Sequence, residues 1–120
     1  MRAEVGLLSR NIVFQGDETS DLTGYGAQLM VYATSSQATA PNARISYIEV
    51  TRAGQASLVG RHPINFHGLG SVPQSFIQGV SFHETYNRAT VLSGVNFLTV
   101  DNNVYYRCKG HNVFFEDGTE

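Results

Sequence analysis

Histidines, carboxylates and arginines gather at three places along this 120-residue chain, where they could bind or cut a polar substrate. Residues 60–68 contain His62 and His67. Residues 83–88 combine histidine, glutamate, tyrosine and arginine, and residues 109–120 place three carboxylates just after a histidine. Such side chains can hold metal ions, recognise sugars, and act as acid and base on a glycosidic bond.

The first cluster offers at most a weak metal site. Two histidines five residues apart on a strand and turn are compatible with metal binding, so His62 and His67 are weak candidates. No cysteine or carboxylate cluster lies in the same segment. We therefore predict no metal and no cofactor, and an alternative is that both histidines face outward or bond turn backbone groups.

The third cluster could catalyse glycoside cleavage. Two carboxylates at a suitable separation can act as general acid and base, so the candidates for catalysis are His67, His111, Glu116 and Asp117. Adjacent residues on a strand point to opposite faces, so Glu116 and Asp117 cooperate only if the backbone bends at Asp117-Gly118. The alternative is an Asp-Gly turn that only closes a coil.

The second cluster mixes residue types that suit sugar recognition. With a nearby arginine it gives three candidates for substrate binding, Arg61, His83 and Arg88. The same residues would suit an ordinary surface turn equally well. The sequence has no phosphate-binding glycine loop, no Gly-x-Ser-x-Gly elbow and no His-Glu-x-x-His motif. Phosphoryl transfer, serine hydrolysis and zincin chemistry thus have no support.

Short strands, and not helices, must position these clusters. Apolar residues at helical spacing never continue for more than about two turns. Instead, six stretches rich in Val, Ile, Phe and Tyr are separated by Gly, Asn, Asp and Ser turns. They are residues 7–15, 28–33, 44–51, 75–82, 97–106 and 111–115.

A repeat in the second half predicts how the strands are arranged. The segment from Ser75 pairs with the one from Asn96, and the segment from Ala89 pairs with the one from His111, at offsets near 21 or 22 residues. Longer earlier offsets imply loop insertions. The predicted fold is all-β: a right-handed parallel β-helix solenoid, with several coils of roughly 22 residues. Residues 1–120 would form one open-ended segment of a larger protein.

Composition narrows the range of partners. Lys and Arg number 8 against 10 Asp and Glu, a net charge of −2, so the chain has no broad attraction to nucleic acid or anionic membrane. No apolar run is long enough to cross a bilayer, and the N-terminus lacks the apolar core of a signal peptide. We expect no nucleic-acid partner, no membrane insertion, and any targeting signal outside this chain.

Taken in order, several motifs resemble the β-helix region shared by fibrocystin, fibrocystin-like proteins and the cell-surface hyaluronan-depolymerising proteins. The matching motifs are Gly-Arg-His-Pro-Ile-Asn-Phe-His at residues 60–67, Ser75, Asn87-Arg88, Gly110-His111, and Phe-Phe-Glu-Asp-Gly-Thr-Glu at residues 114–120. Three positions depart from the family pattern: His62 replaces a tyrosine, and Asn65 and Ser93 replace histidines. The histidine cluster of the family is therefore depleted.

The resemblance implies an extracellular or cell-surface location and two alternative roles. Depletion of the histidines favours a structural and interaction module of a surface or ciliary glycoprotein or fibre, which is not an enzyme. Its partners would be neighbouring coils of the parent protein or stacked copies of itself. The alternative is a module that binds glycans or depolymerises polysaccharides, as a hyaluronidase does.

Overall fold

The computed structural model describes residues 2–34 and 40–118, and within these ranges it contains eleven short strands and one helical turn. The strands are β1 (Val13–Gln15), β2 (Leu29–Tyr32), β3 (Arg44–Ser46), β4 (Glu49–Thr51), β5 (Ile64–Ser71), β6 (Phe76–Gln78), β7 (Ser81–His83), β8 (Thr90–Asn96), β9 (Thr99–Asp101), β10 (Val104–Tyr106) and β11 (Val113–Phe115). The helical turn is α1 (Ser20–Thr23), which ends at the left-handed Gly24. The chain is thus all-β, as the strand-like stretches predict.

The strands pair in parallel and form three sheets. The first sheet has the order β1-β4-β7-β10, the second sheet β2-β5-β8-β11, and the third sheet β3-β6-β9. The predicted right-handed parallel β-helix is wrong in this respect, because the strands divide among three separate parallel sheets of three or four strands and do not form a single closed solenoid. The sequence repeat revealed the parallel pairing but not the division into sheets.

The repeat length also needs correction. Phe76 pairs with Thr99 and Thr90 pairs with Val113, so the last step is 23 residues and not the predicted 21 or 22. Earlier steps are longer, as between Ile64 and Thr90. The register matters because a slip of one residue moves every side chain of a strand to the opposite face.

Residues in the left-handed region divide what the sequence shows as single strands. Predicted strand 44–51 is interrupted at Tyr47, strand 75–82 at Gly79, and strand 97–106 at Asn102, with φ angles of 52°, 63° and 52°. Each of these residues turns the chain from the third sheet into the first. Because the three positions are equivalent in successive repeats, the bends stack on each other.

The core lies where the three sheets face one another. Its largest fully buried side chains include Phe66, Phe82, Ile64 and Ile77, which come from all three sheets. The rings of Phe82 and Tyr105 stack with centroids 5.0 Å apart and an interplanar angle of 7°. Stacking of like side chains on neighbouring parallel strands continues the core from one repeat to the next.

The N-terminal segment covers the outside of the first sheet. Predicted strand 7–15 is regular only in β1. The Arg10 side chain donates to the Gly79 carbonyl at 3.1–3.2 Å, and its backbone N–H donates to Glu49 at 3.0 Å. The Ser81 hydroxyl donates to the Leu8 carbonyl. No helix in the described ranges is long and apolar enough to cross a membrane.

Candidate functional site

The outer side of the second sheet brings together several residues singled out by sequence. His67 of β5 pairs with Ser93 of β8. The backbone N–H of Glu116 donates to the Leu92 carbonyl at 2.8 Å, which continues the β8–β11 ladder and aligns Glu116 with Ser93. The row His67–Ser93–Glu116 therefore crosses three strands, and at the usual strand spacing its ends are roughly 10 Å apart.

An arginine and two rings lie beside this row. The Arg88 guanidinium carbon is 3.8 Å from the centroid of the Phe114 ring, a cation–π geometry. The His111 ring is 5.1 Å from the same Phe114 ring, tilted by 40°. We call His67, Ser93, Glu116, Arg88, His111 and Phe114 the polar face of the second sheet. It combines a cation, a carboxylate, two imidazoles and an aromatic surface, which are the groups that bind sugars and anions.

A pocket opens next to the polar face. Its volume is about 190 Å³, and it is lined by Ser57, Leu58, Val59, His62, Asn87 and Arg88. His62 is only 2% exposed, and neither ring nitrogen has a hydrogen-bond partner in the described structure. His62 therefore does not bond turn backbone groups, as the sequence alternative supposed.

The surroundings of His62 favour its neutral form. Burial lowers the pKa of the His62 imidazole below its usual 6.5, and the nearby Arg88 charge lowers it further. The carboxylate of Glu116 acts in the opposite sense but more weakly. At neutral pH the ring thus offers one hydrogen-bond donor and one acceptor.

Asn87 holds the rim of the pocket in place. Its side-chain amide lies 2.8 Å from the Gln55 carbonyl, 2.9 Å from the Leu58 carbonyl and 3.3 Å from the Arg61 carbonyl. Its own carbonyl accepts the backbone N–H of Arg88 at 2.8 Å. The sequence indicated Asn87 only as a turn former and as part of an Asn-Arg motif. Its role became visible only once loop 55–61 lay over it.

Asp117 lies one position further along the sheet than the polar-face row. One carboxylate oxygen is 3.6 Å from the place that a Cβ on Gly94 would occupy. Gly118 adopts a φ of 69°, so the chain does bend after Asp117. Glu120, the third carboxylate of the cluster, lies outside the described residues. Glu116 and Asp117 are thus beside neighbouring rows of the same sheet.

The candidates for substrate binding are divided between two sheets. Arg88 belongs to the polar face, whereas His83 lies on the first sheet, with Nε2 2.9 Å from Glu49 Oε1 and Nδ1 3.3 Å from the Thr51 hydroxyl. Arg61 is exposed in the loop before β5, and its carbonyl accepts the Gln55 N–H at 2.8 Å. His83 is therefore part of a packed ion pair far in sequence from the pocket.

The two weak metal candidates occupy different environments. His62 is buried in the pocket, while His67 is exposed on β5. Within residues 2–34 and 40–118, no three side chains of His, Cys, Asp or Glu are grouped so as to hold a metal ion.

Comparison with known proteins agrees with the resemblance seen in the sequence. The profile of the CEMIP beta-helix family matches residues 24–120. Human fibrocystin-L is 33% identical over 99% of the chain, a G8 domain-containing protein of Dictyostelium discoideum is 36% identical over 99%, and the human cell surface hyaluronidase CEMIP2 is 31% identical over 100%. The chain spans 4%, 8% and 10% of these relatives. No solved structure gives a significant match.

Proposed function

The chain belongs to the CEMIP beta-helix family, and on that premise we propose that it is a structural and interaction module of a larger extracellular or cell-surface protein. Its curated relatives include proteins named as cell surface hyaluronidases. It spans no more than 10% of any of the three relatives compared above, which supports a module of a longer protein. Residues 1–120 would act as one unit within it.

A gradient of burial across the sheets supports this role. Leu92 in β8 is 3% exposed, whereas Phe115, its partner in the edge strand β11, is 55% exposed. The same change occurs from buried Ile77 to half-buried Val100, at the edge of the third sheet. Edge strands with unpaired backbone groups and apolar side chains readily accept a further strand.

The partner that best fits this edge is more of the same structure. β9, β10 and β11 each end the order of their sheet on the same side of the stack. A layer of three parallel strands, from the parent protein or from a second copy, would pair with all of them at once. It would also cover Phe115 and Val100.

Sedimentation velocity over a range of concentrations tests the proposal. We expect the isolated chain to associate as concentration rises, and Phe115→Glu to prevent this by placing a charge in the apolar edge. Leu22→Glu is the matched control, because Leu22 is 91% exposed on α1, away from that edge. A well-folded chain that stays monomeric at every concentration would contradict the proposal.

A second candidate function is glycan binding or polysaccharide depolymerisation on the polar face. The observation that favours it is the row His67–Ser93–Glu116 beside the Arg88–Phe114–His111 stack. Aromatic surface and cations suit an acidic sugar chain, and Glu116 with Asp117 and the histidines would supply proton transfer. Two relatives carry the name hyaluronidase, which motivates the choice of substrate.

Depolymerisation of a panel of acidic polysaccharides, hyaluronan included, tests this second candidate. Cleavage by the wild type that is lost in both Glu116→Ala and His67→Ala would support an enzyme. Glu18→Ala is the control, because this exposed carboxylate lies before α1 and outside the polar face. If the folded chain cleaves none of the polymers, and glycan-array binding is also absent, this candidate is rejected.

A further inference from the structure

The pocket above His62 contains a polar group that neither proposed role uses. Both His62 nitrogens are buried without partners, although buried polar groups are normally satisfied by protein, water or ligand. The rim residues Ser57, Leu58 and Val59 are exposed, so the pocket of about 190 Å³ is reached from solvent. The site therefore has an entrance, space, and unsatisfied hydrogen-bonding capacity.

Arg88 determines the charge that such a ligand would carry. Its guanidinium lines the pocket and is held over the Phe114 ring. None of the ion pairs in the described ranges involves Arg88. A guanidinium presents parallel N–H donors that match the two oxygens of a carboxylate.

We propose that this pocket binds a small hydroxy-carboxylate, of which a uronic acid is one example. The carboxylate accepts hydrogen bonds from Arg88, and a hydroxyl next to it bonds the His62 ring after a small rotation of the imidazole. The lowered pKa of His62 supports this arrangement, because a neutral ring can both donate and accept. The inference rests on neither proposed function, since it involves neither the open strand edge nor bond cleavage.

Asn87 would act as a positioning residue for the site. It holds the carbonyls of Gln55, Leu58 and Arg61 and so fixes the rim that faces Arg88. Glu116 would act against the ligand, because its charge opposes that of Arg88 around His62. Removing the Glu116 charge is therefore expected to strengthen binding, and removing the Arg88 charge to weaken it.

Titration of the folded chain with D-glucuronate, followed by the ring resonances of His62, tests the proposal. D-glucose is the matched probe, because it has a CH₂OH group in place of the carboxylate. We expect glucuronate to shift the His62 signals and glucose to leave them unchanged. Arg88→Gln should weaken binding at least about ten-fold, and Glu116→Gln should strengthen it.

Two controls keep the result decisive. Arg61→Gln removes an exposed charge near the same loop and should bind glucuronate like the wild type. Inorganic phosphate should bind more weakly than glucuronate, because it lacks the paired hydroxyl and planar carboxylate. Absence of His62 shifts at tens of millimolar glucuronate, equal shifts with glucose, or equal losses in Arg61→Gln and Arg88→Gln would each overturn the proposal, leaving a pocket filled by water.

Discussion

His62 shows how much a single residue depends on its surroundings. In the sequence it is one of two histidines in a polar run, and in the structure it is the more buried of the two. Its neighbour His67, five residues later, is exposed on the polar face. The difference arises because loop 55–61 folds over His62, where it is held by the amide of Asn87.

The buried imidazole predicts a pH-dependent stability. The pKa of His62 is lowered in the folded chain by burial and by Arg88, so the unfolded chain binds more protons at pH values between the folded pKa and 6.5. The free energy of unfolding should therefore decrease as pH falls below about 6.5, by about 1.4 kcal/mol for each unit of pKa depression. Urea unfolding at pH 7.5 and 5.5 measures this difference.

Variants assign that pH dependence to His62. His62→Gln should reduce the stability difference between pH 7.5 and 5.5, whereas His67→Gln should preserve it because His67 is exposed. An unchanged difference in His62→Gln would show that another group titrates.

At the scale of elements, the bends between strands decide the architecture. Tyr47, Gly79 and Asn102 lie at equivalent positions and all have positive φ. Gly79 has an additional constraint, because a Cβ there would lie 2.6 Å from the Tyr47 ring. The middle position is thus suited to glycine for two reasons, while tyrosine and asparagine accept the same backbone conformation above and below it.

Gly79→Ala should destabilise the protein more than Gly60→Ala. Both alanines would pay the left-handed penalty of about 1–2 kcal/mol, since the φ angles are 63° and 77°. Only Gly79→Ala also meets the Tyr47 ring, whereas a Cβ on Gly60 has no neighbour within 4 Å. Equal free energies of unfolding, measured by chemical denaturation, would mean that the Tyr47 ring moves aside at no cost.

At the scale of the whole molecule, burial is concentrated in the middle strands. β4, β5, β6, β7 and β8 contribute most of the fully buried side chains, and the strands on either side are half-buried. Each sheet is thus most stable at its centre. The edges gain stability only when another layer covers them, which is the physical basis of the proposed association.

Matched truncations in the middle and at the edge measure this gradient. Phe82→Ala should cost about 3–5 kcal/mol, because it removes a fully buried ring that stacks on Tyr105. Phe115→Ala should cost clearly less in the isolated chain, since this side chain is more than half exposed. Similar losses in the two variants, measured by denaturation at a concentration where the chain is monomeric, would refute a stability gradient.

The sequence by itself determined the all-β class, the parallel repeat, and the resemblance to the family. These features follow from local composition and from the order of motifs, which a single chain displays directly. It also indicated Asn102 as a bend and the turn after Asp117, because asparagine and the Asp-Gly pair favour such turns whatever surrounds them.

Only the tertiary structure decided the division into three sheets, the register, and the composition of the site. The register offset of 23 residues aligns Glu116 with Ser93 and His67, and a shift of one residue would have turned their side chains to other faces. His83 pairs with Glu49, 34 positions away, and His62 is enclosed by a loop fixed from Asn87. Such contacts depend on how distant segments stack, and local residue patterns do not encode that stacking on their own.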